Sequence, residues 1–336
     1  MNKMLTYWQT QPGILRSVFE NRKSLTVPFV EAFERTKPDR LYIVGSGTSG
    51  NAATAAAPYM QKVLGIEVTV ITPSVIPPIY AKRPLMVYLS QGGSSTNTLA
   101  AMEQLGQYPF VTLTGEQNCE IVKRGEHHML IGCGQELVGP KTVGYTASVL
   151  SLYACALEAA AAVGGIPAEA YQTAVAALQQ AIGDMRQNIE TARAWLDERE
   201  AQFANVHKYV LVGNGVAAPC AAEGALKLQE TIKAPAIAFE MEEYLHGPIL
   251  MTDEGLCGLF SISGDAQQLQ RITQLFYTHA DYSPYAYAVA GEGALSGKNV
   301  LNLKLGDREE THVFAFILLP QLLSARMPLA MGIGEG

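Results

Sequence analysis

The chain has 336 residues, with 24 Lys and Arg against 31 Asp and Glu, a net charge of −7 and 48% hydrophobic residues. That length exceeds what one core usually serves, so two domains of about 150 residues are expected. The acidic balance, with no Lys/Arg cluster, argues against nucleic acid or an anionic membrane surface as a partner; an anionic ligand must then be held by local dipoles and hydroxyls.

The N-terminus has no long apolar run after Lys3, which excludes a secretory signal, and no stretch holds the roughly 20 uninterrupted apolar residues of a membrane span. The five cysteines, Cys119, Cys133, Cys155, Cys220 and Cys257, are odd in number, scattered and never in CxxC spacing. They read as reduced thiols of a cytoplasmic protein. His127-His128 has no cysteine or carboxylate at ligand spacing, so no metal site is expected.

In chain order, Thr6 to about Lys37 is helical, with Ile14, Val18 and Phe19 on one face and Pro28 opening a second helix. The first strand is Leu41-Tyr42-Ile43-Val44, running into Gly45-Ser46-Gly47-Thr48-Ser49-Gly50 and an Ala-rich helix from Asn51 to about Val63. Further strands are predicted at Val68–Ile71, Leu85–Leu89, Phe110–Leu113 and Met129–Ile131, with a helix over Ser95–Leu105. Such alternation predicts a parallel sheet covered on both faces. Two helical regions follow, Ala147–Val163 and Pro167 to about Ala204.

The pattern then restarts. Tyr209-Val210-Leu211-Val212-Gly213-Asn214-Gly215 repeats Tyr42-Ile43-Val44-Gly45-Ser46-Gly47 at an offset of 213 − 45 = 168, and Leu256–Ser261 echoes Leu85–Ser90 at 261 − 90 = 171. Two motifs in one order at nearly one offset predict a duplicated α/β domain. The predicted organisation is an N-terminal helical segment (1–37), a first domain (38–165), a helical connector (166–205) and a second domain (206–336).

The chemistry-bearing stretches follow the strands. Ser90-Gln91-Gly92-Gly93-Ser94-Ser95-Thr96 sits between an apolar strand and a helix. Backbone N–H groups at a helix N-terminus, joined by Ser and Thr oxygens, form an anion cradle. In the second copy the same place reads Ser261-Ile262-Ser263-Gly264-Asp265, whose acid would repel phosphate. On the helix after Gly215, Glu223, Lys227 and Glu230 fall within roughly 60° of one another. Sixteen residues beyond Glu230, His246 precedes Gly247-Pro248 and follows Glu240, Glu242 and Glu243, which would raise its pKa.

Gly47-Thr48-Ser49, Ser90–Ser95, Glu223–Glu230 and Glu243–Pro248 occur in the order found in the SIS (sugar isomerase) family. The resemblance runs from about residue 40 to 325 and is nearest to the isomerase half of glucosamine-6-phosphate synthase and to fructoselysine-6-phosphate-type deglycases. It implies two flavodoxin-like, three-layer domains, each a parallel five-stranded sheet flanked by helices, and a homodimer or larger homo-oligomer with shared active sites. It implies a sugar phosphate held by Gly47, Thr48, Ser49, Ser90, Gln91, Gly92 and Ser95. It further implies that Glu230 moves a proton between C1 and C2 of the open-chain sugar, that His246 assists ring opening, and that Lys227 lies close to the reacting carbons. No cofactor is required.

Two departures stand out. The family's Ser-Gln-Ser-Gly-Glu-Thr appears here with Gly92, Ser94 and Ser95 at its third, fifth and sixth places. The synthase also carries a tail lysine used in ring opening, whereas no lysine follows Lys304 here; either the substrate opens with less help or the sequence is truncated. With Asn2 at the second position and no glutaminase segment ahead of the first domain, synthesis from glutamine is not expected. The leading expectation is a deglycase that splits a 6-phosphorylated ketosamine into a hexose 6-phosphate and an amine. The alternatives are an aldose-ketose isomerase or aminosugar-phosphate deaminase, and a non-catalytic sugar-phosphate sensor.

Overall fold

The computed structural model describes residues 2–125 and 127–333; Met1, Glu126 and the terminal Gly334-Glu335-Gly336 lie outside them. Three helices come first, α1 (Lys3–Glu20), α2 (Arg22–Leu25) and α3 (Val27–Thr36). A first βα alternation follows: β1 (Arg40–Val44), α4 (Thr48–Leu64), β2 (Glu67–Ile71), β3 (Pro84–Ser90), α5 (Thr96–Gln104), β4 (Phe110–Thr114) and β5 (His128–Leu130). The helices α6 (Val143–Ala162), α7 (Ala168–Asp197) and α8 (Glu200–Phe203) lead to the second series. It comprises β6 (Tyr209–Gly213), α9 (Ala217–Thr231), β7 (Ala236–Glu240), α10 (Met241–Leu245), β8 (Cys257–Ser261), α11 (Ala266–Tyr282), β9 (Ala286–Gly291), β10 (Val300–Leu303), α12 (Val313–Phe316) and α13 (Leu318–Ala330).

The strands form two five-stranded sheets, ordered β2-β1-β3-β4-β5 and β10-β9-β8-β6-β7, and every pairing is parallel. Renumbered within its own sheet, the second order is the same 2-1-3-4-5 as the first, the flavodoxin-like arrangement. The duplication expected from the two offsets is therefore present: β1 and β6 hold the same place, as do β3 and β8. The chain forms two compact units. One comprises Gly13–Leu137 with Val143–Gln179; the other comprises the residues up to Pro12, Val138–Thr142 and the chain from Gln180 onward.

In the first unit, β3 is buried along its whole length, as a central parallel strand covered on both faces must be. One face of the sheet packs Tyr42, Val44, Met86 and Tyr88 against Ala101, Met102 and Leu105 from α5 and the residue that ends it. On α4 the buried residues are mostly alanine, Ala52, Ala53, Ala55 and Ala56, which lets that helix pack closely against its neighbours. In the second unit, Val210, Val212, Phe260, Ala286 and Ala288 form a core with Ile272, Leu275 and Phe276 of α11. There the start of α1 is tied to α13: Trp8 Nε1 donates to the Leu318 carbonyl at 3.0 Å, and Gln11 Nε2 donates to Gln321 Oε1 at 3.0 Å.

Two stretches, Val143–Ala162 and 309–330, are long and apolar enough by composition to cross a membrane, which corrects the expectation that none is. Their apolar windows are 94% and 83% buried inside the fold. Both serve as core helices, α6 being buried on nearly every side.

Candidate active site

In a 2-1-3-4-5 sheet the chain leaves the first and third strands in opposite directions, and a crevice opens between the ends of those strands. In the first unit these are β1 and β3, registered Val44 to Tyr88, so the turns that follow them lie side by side. The first turn, Gly45-Ser46-Gly47, caps α4, with Ser49 buried in its first turn. The second turn begins at Ser90, 6% exposed, and ends at Ser95, which caps α5. The Ser95 hydroxyl caps no backbone N–H. It lies 2.5 Å from Asn97 Oδ1 and accepts from Thr98 Oγ1 at 3.2 Å, while Asn97 Nδ2 donates to Ser46 Oγ at 3.3 Å. Asn97 thus ties the two turns together, a role the sequence did not single out because it depends on β1 and β3 being neighbours. The first turn of α5 keeps N–H groups without intrahelical acceptors, beside these hydroxyls.

The turn itself is rigidly built. Gln91 O accepts from Gly115 N at 2.9 Å, and Gly93 O accepts from Ile121 N at 3.0 Å. Gly93 has φ +61°, and a Cβ there would overlap the sulfur of Cys119 beneath it. Gly92 and Ser94 are exposed on the outer side. The Gln91 side chain turns inward: Nε2 donates to the Gly144 carbonyl and to Ser148 Oγ at 3.1 Å. Its amide nitrogen holds the start of α6, and a Cβ at Gly144 would overlap it. In this structure the donor side of Gln91 is committed to packing, and Ser46, Thr48, Ser49, Ser90 and Ser95 supply the hydroxyls around the crevice.

At the corresponding place in the second unit, Asp265 caps α11, accepting from Gln267 N at 3.0 Å and Gln268 N at 2.9 Å. Its carboxylate fills the helix N-terminus that an anion would otherwise occupy.

The titratable cluster belongs to the second unit. On α9, Glu223 and Lys227 are fully buried, whereas the Glu230 side chain is 37% exposed. Lys227 Nζ donates to Glu230 Oε2 at 2.5 Å and lies 3.5 Å from Glu223 Oε1. The single helix face expected from the sequence is thus present. The flanking Gly224, Ala225 and Leu228 carry it into the interior rather than to solvent. The Lys227 ammonium, set between two carboxylates, fixes the orientation of the Glu230 side chain.

His246 follows α10 and is exposed. Two of the carboxylates before it have partners of their own. Glu240 caps α10, accepting from Glu242 N at 2.7 Å and Glu243 N at 3.2 Å. Glu242 forms a two-pronged pair with Arg271 at 2.7 and 2.6 Å, and that guanidinium holds its carboxyl below the usual range. Glu242 also interacts electrostatically with His246, so of the acids read from the sequence one is tied to Arg271 while still facing the imidazole and another caps α10.

No protein-family model matches the chain. It is 28% identical over 266 residues to "Glutamine--fructose-6-phosphate aminotransferase [isomerizing]" from Bacillus subtilis, a match covering 75% of this chain and 43% of that protein. The chain therefore spans less than half the length of the curated relatives it matches. A solved candidate phosphosugar isomerase from Clostridium difficile superposes with a TM-score of 0.91 at 24% identity, covering 99% of this chain and 94% of the other. The C-terminal domain of glucosamine-fructose-6-phosphate aminotransferase from Francisella tularensis gives 0.86 at 21%, covering 98% and 96%. The fold is the SIS fold. A glucosamine-6-phosphate deaminase from Thermotoga maritima shares it, with a TM-score of 0.76 at 21% identity over 98% of this chain and 95% of that one. The chain is thus similar in sequence to the aminotransferase and in fold to phosphosugar isomerases and a deaminase.

Proposed function

We propose that this SIS chain is a phosphosugar enzyme that shifts a proton between C1 and C2 of a 6-phosphorylated ketosamine, releasing a hexose 6-phosphate and an amine. The observation that carries the reading is the Glu230 carboxylate, held at 2.5 Å by the buried Lys227 ammonium yet 37% exposed to an incoming substrate. The C1–H beside the C2 carbonyl of an open-chain ketosamine is weakly acidic. Glu230 removes it to form the enolamine and returns it to C2, while the C2 oxygen takes up a proton and the nitrogen gives up its own, leaving a C2 hydroxyl and an imine between C1 and nitrogen. Water adds to that imine, the C–N bond breaks, and glucose 6-phosphate and the free amine leave. Lys227 orients Glu230 through their hydrogen bond, and His246 assists ring opening. The phosphate is assigned to the backbone and hydroxyls at Gly47, Thr48, Ser49, Ser90, Gly92 and Ser95; Gln91 supports that turn from within.

Amine chemistry is favoured over plain aldose-ketose isomerisation because the aminotransferase relatives and the deaminase neighbour both join an amine to a hexose 6-phosphate in their names. We assign the protein to a reducing compartment, consistent with five cysteines none of which forms a disulfide among the described residues. Leu250, 88% exposed, and Met251, 38% exposed, follow His246 and form an apolar surface suited to a second copy of the chain, consistent with a dimer.

Incubation with fructoselysine 6-phosphate and, separately, glucosamine 6-phosphate tests the reading, with assays for glucose 6-phosphate, fructose 6-phosphate and free amine. Glucose 6-phosphate with equimolar lysine is expected from the first. Fructose 6-phosphate and ammonia from the second alone would make the chain a deaminase, and binding without product would make it a sensor. For the phosphate assignment, the double variant Ser90→Ala/Ser95→Ala is expected to weaken glucose 6-phosphate binding about tenfold per hydroxyl, the scale of a hydrogen bond to a charged group. Equal affinity by titration calorimetry would remove those two residues from the grip.

A further inference from the structure

Tyr244, two residues before His246, is fully buried, although the segment it opens is exposed. Its hydroxyl lies 2.9 Å from Thr252 Oγ1 and 3.4 Å from His279 Nδ1. His279, on α11, is 1% exposed, packs edge-on against Phe260 at 5.3 Å, and places Nε2 3.0 Å from the Leu256 carbonyl. A carbonyl only accepts, so Nε2 carries the ring proton and Nδ1 is left as an acceptor. Burial holds the imidazole pKa below its ordinary value and so preserves that neutral form. The remaining directions follow: Tyr244 donates to His279, and Thr252 donates to Tyr244.

Tyr244 and Thr252 bracket the seven residues Leu245–Met251, which contain His246. The segment turns at Gly247, where Leu250 N donates to the Gly247 carbonyl at 2.9 Å. One buried hydroxyl therefore closes the base of the loop, and His279 fastens that closure to β8 and the residue preceding it. Gly258 leaves room for the ring, since a Cβ there would lie 2.8 Å from Nε2.

We propose that Thr252, Tyr244 and His279 form a clamp that positions the His246 imidazole, making Tyr244 and His279 positioning residues for the ring-opening step. The inference rests on the assignment of His246 in the proposed function. An exposed histidine on an unfastened loop samples many orientations, whereas proton transfer requires one. The clamp supplies that orientation from the core without touching substrate.

Tyr244→Phe deletes the hydroxyl and keeps the ring. It is expected to lower kcat on a cyclising ketosamine 6-phosphate about tenfold, the scale of one lost hydrogen bond, with KM unchanged. In a His246→Ala background the same change is expected to have no further effect, because the clamp acts through that imidazole. Amide hydrogen exchange across residues 245–251 is expected to quicken in Tyr244→Phe and in His279→Gln. That readout needs no turnover and separates failure of the clamp from failure of the proposed function. Unchanged exchange overturns the clamp. Faster exchange with a full tenfold loss persisting in the His246→Ala background overturns its action through His246.

Discussion

Glu230→Gln is expected to abolish turnover of a 6-phosphorylated ketosamine while leaving sugar-phosphate binding nearly intact. The substitution keeps the shape of the side chain and an oxygen that Lys227 can still reach, so the local packing of α9 is preserved. It removes the basicity required to take a proton from C1. A positioned base contributes roughly 10² to 10⁴ in rate, so kcat should fall by at least about 100-fold, measured as glucose 6-phosphate formed per unit time. The dissociation constant for glucose 6-phosphate should change little, because that affinity is assigned to the hydroxyls of the Ser46 and Ser90 turns. Wild-type turnover in the variant would end the assignment of Glu230 as the proton carrier.

Lys227→Met is expected to destabilise the protein as well as inactivate it. Lys227 is 1% exposed and Glu223 is fully buried, with 3.5 Å between their charged atoms. Withdrawing the cation takes its ion-pair partner from a carboxylate held in the interior; breaking comparable buried pairs costs about 3–5 kcal/mol. For a chain of this size, that corresponds to a fall in Tm on the order of 10 °C. Adding Glu223→Gln should restore part of the loss, since the buried acid that Lys227 had paired with is removed with it. Unchanged melting of Lys227→Met would show that the pair is not the interior feature its burial indicates. If melting fell and turnover survived, Lys227 would be structural and Glu230 would act without it.

Much of the architecture was legible because parallel strands buried on both faces read as continuous apolar runs. Leu85–Leu89 and Leu41–Val44 fall inside β3 and β1, and the offsets of 168 and 171 marked the duplication later seen in two identical strand orders. The common face of Glu223, Lys227 and Glu230 followed from helical geometry alone. That it points inward was signalled by the apolar residues between the charges.

What escaped the sequence depends on contacts between distant segments. The inward turn of Gln91 is set by Gly144 and Ser148, more than fifty residues away, and nothing in Ser90–Ser95 announces it. Asn97 links the two turns only because the sheet order makes β1 and β3 adjacent. The acids before His246 form a cluster in sequence, yet Arg271 on α11 and the N-terminus of α10 take two of them. Tyr244 resembles any buried aromatic residue of a short helix until His279 is seen behind it.

The central claim, that one proton leaves C1 during deglycation, is tested most directly by the fate of hydrogen at that carbon. A ketosamine 6-phosphate carrying two deuterons at C1 is incubated with the protein, and the hexose phosphate is analysed by NMR and mass spectrometry. The account predicts glucose 6-phosphate with a single deuteron at C1, formed together with free amine, and no such product from Glu230→Gln. Amine release with both deuterons still on C1 would contradict it.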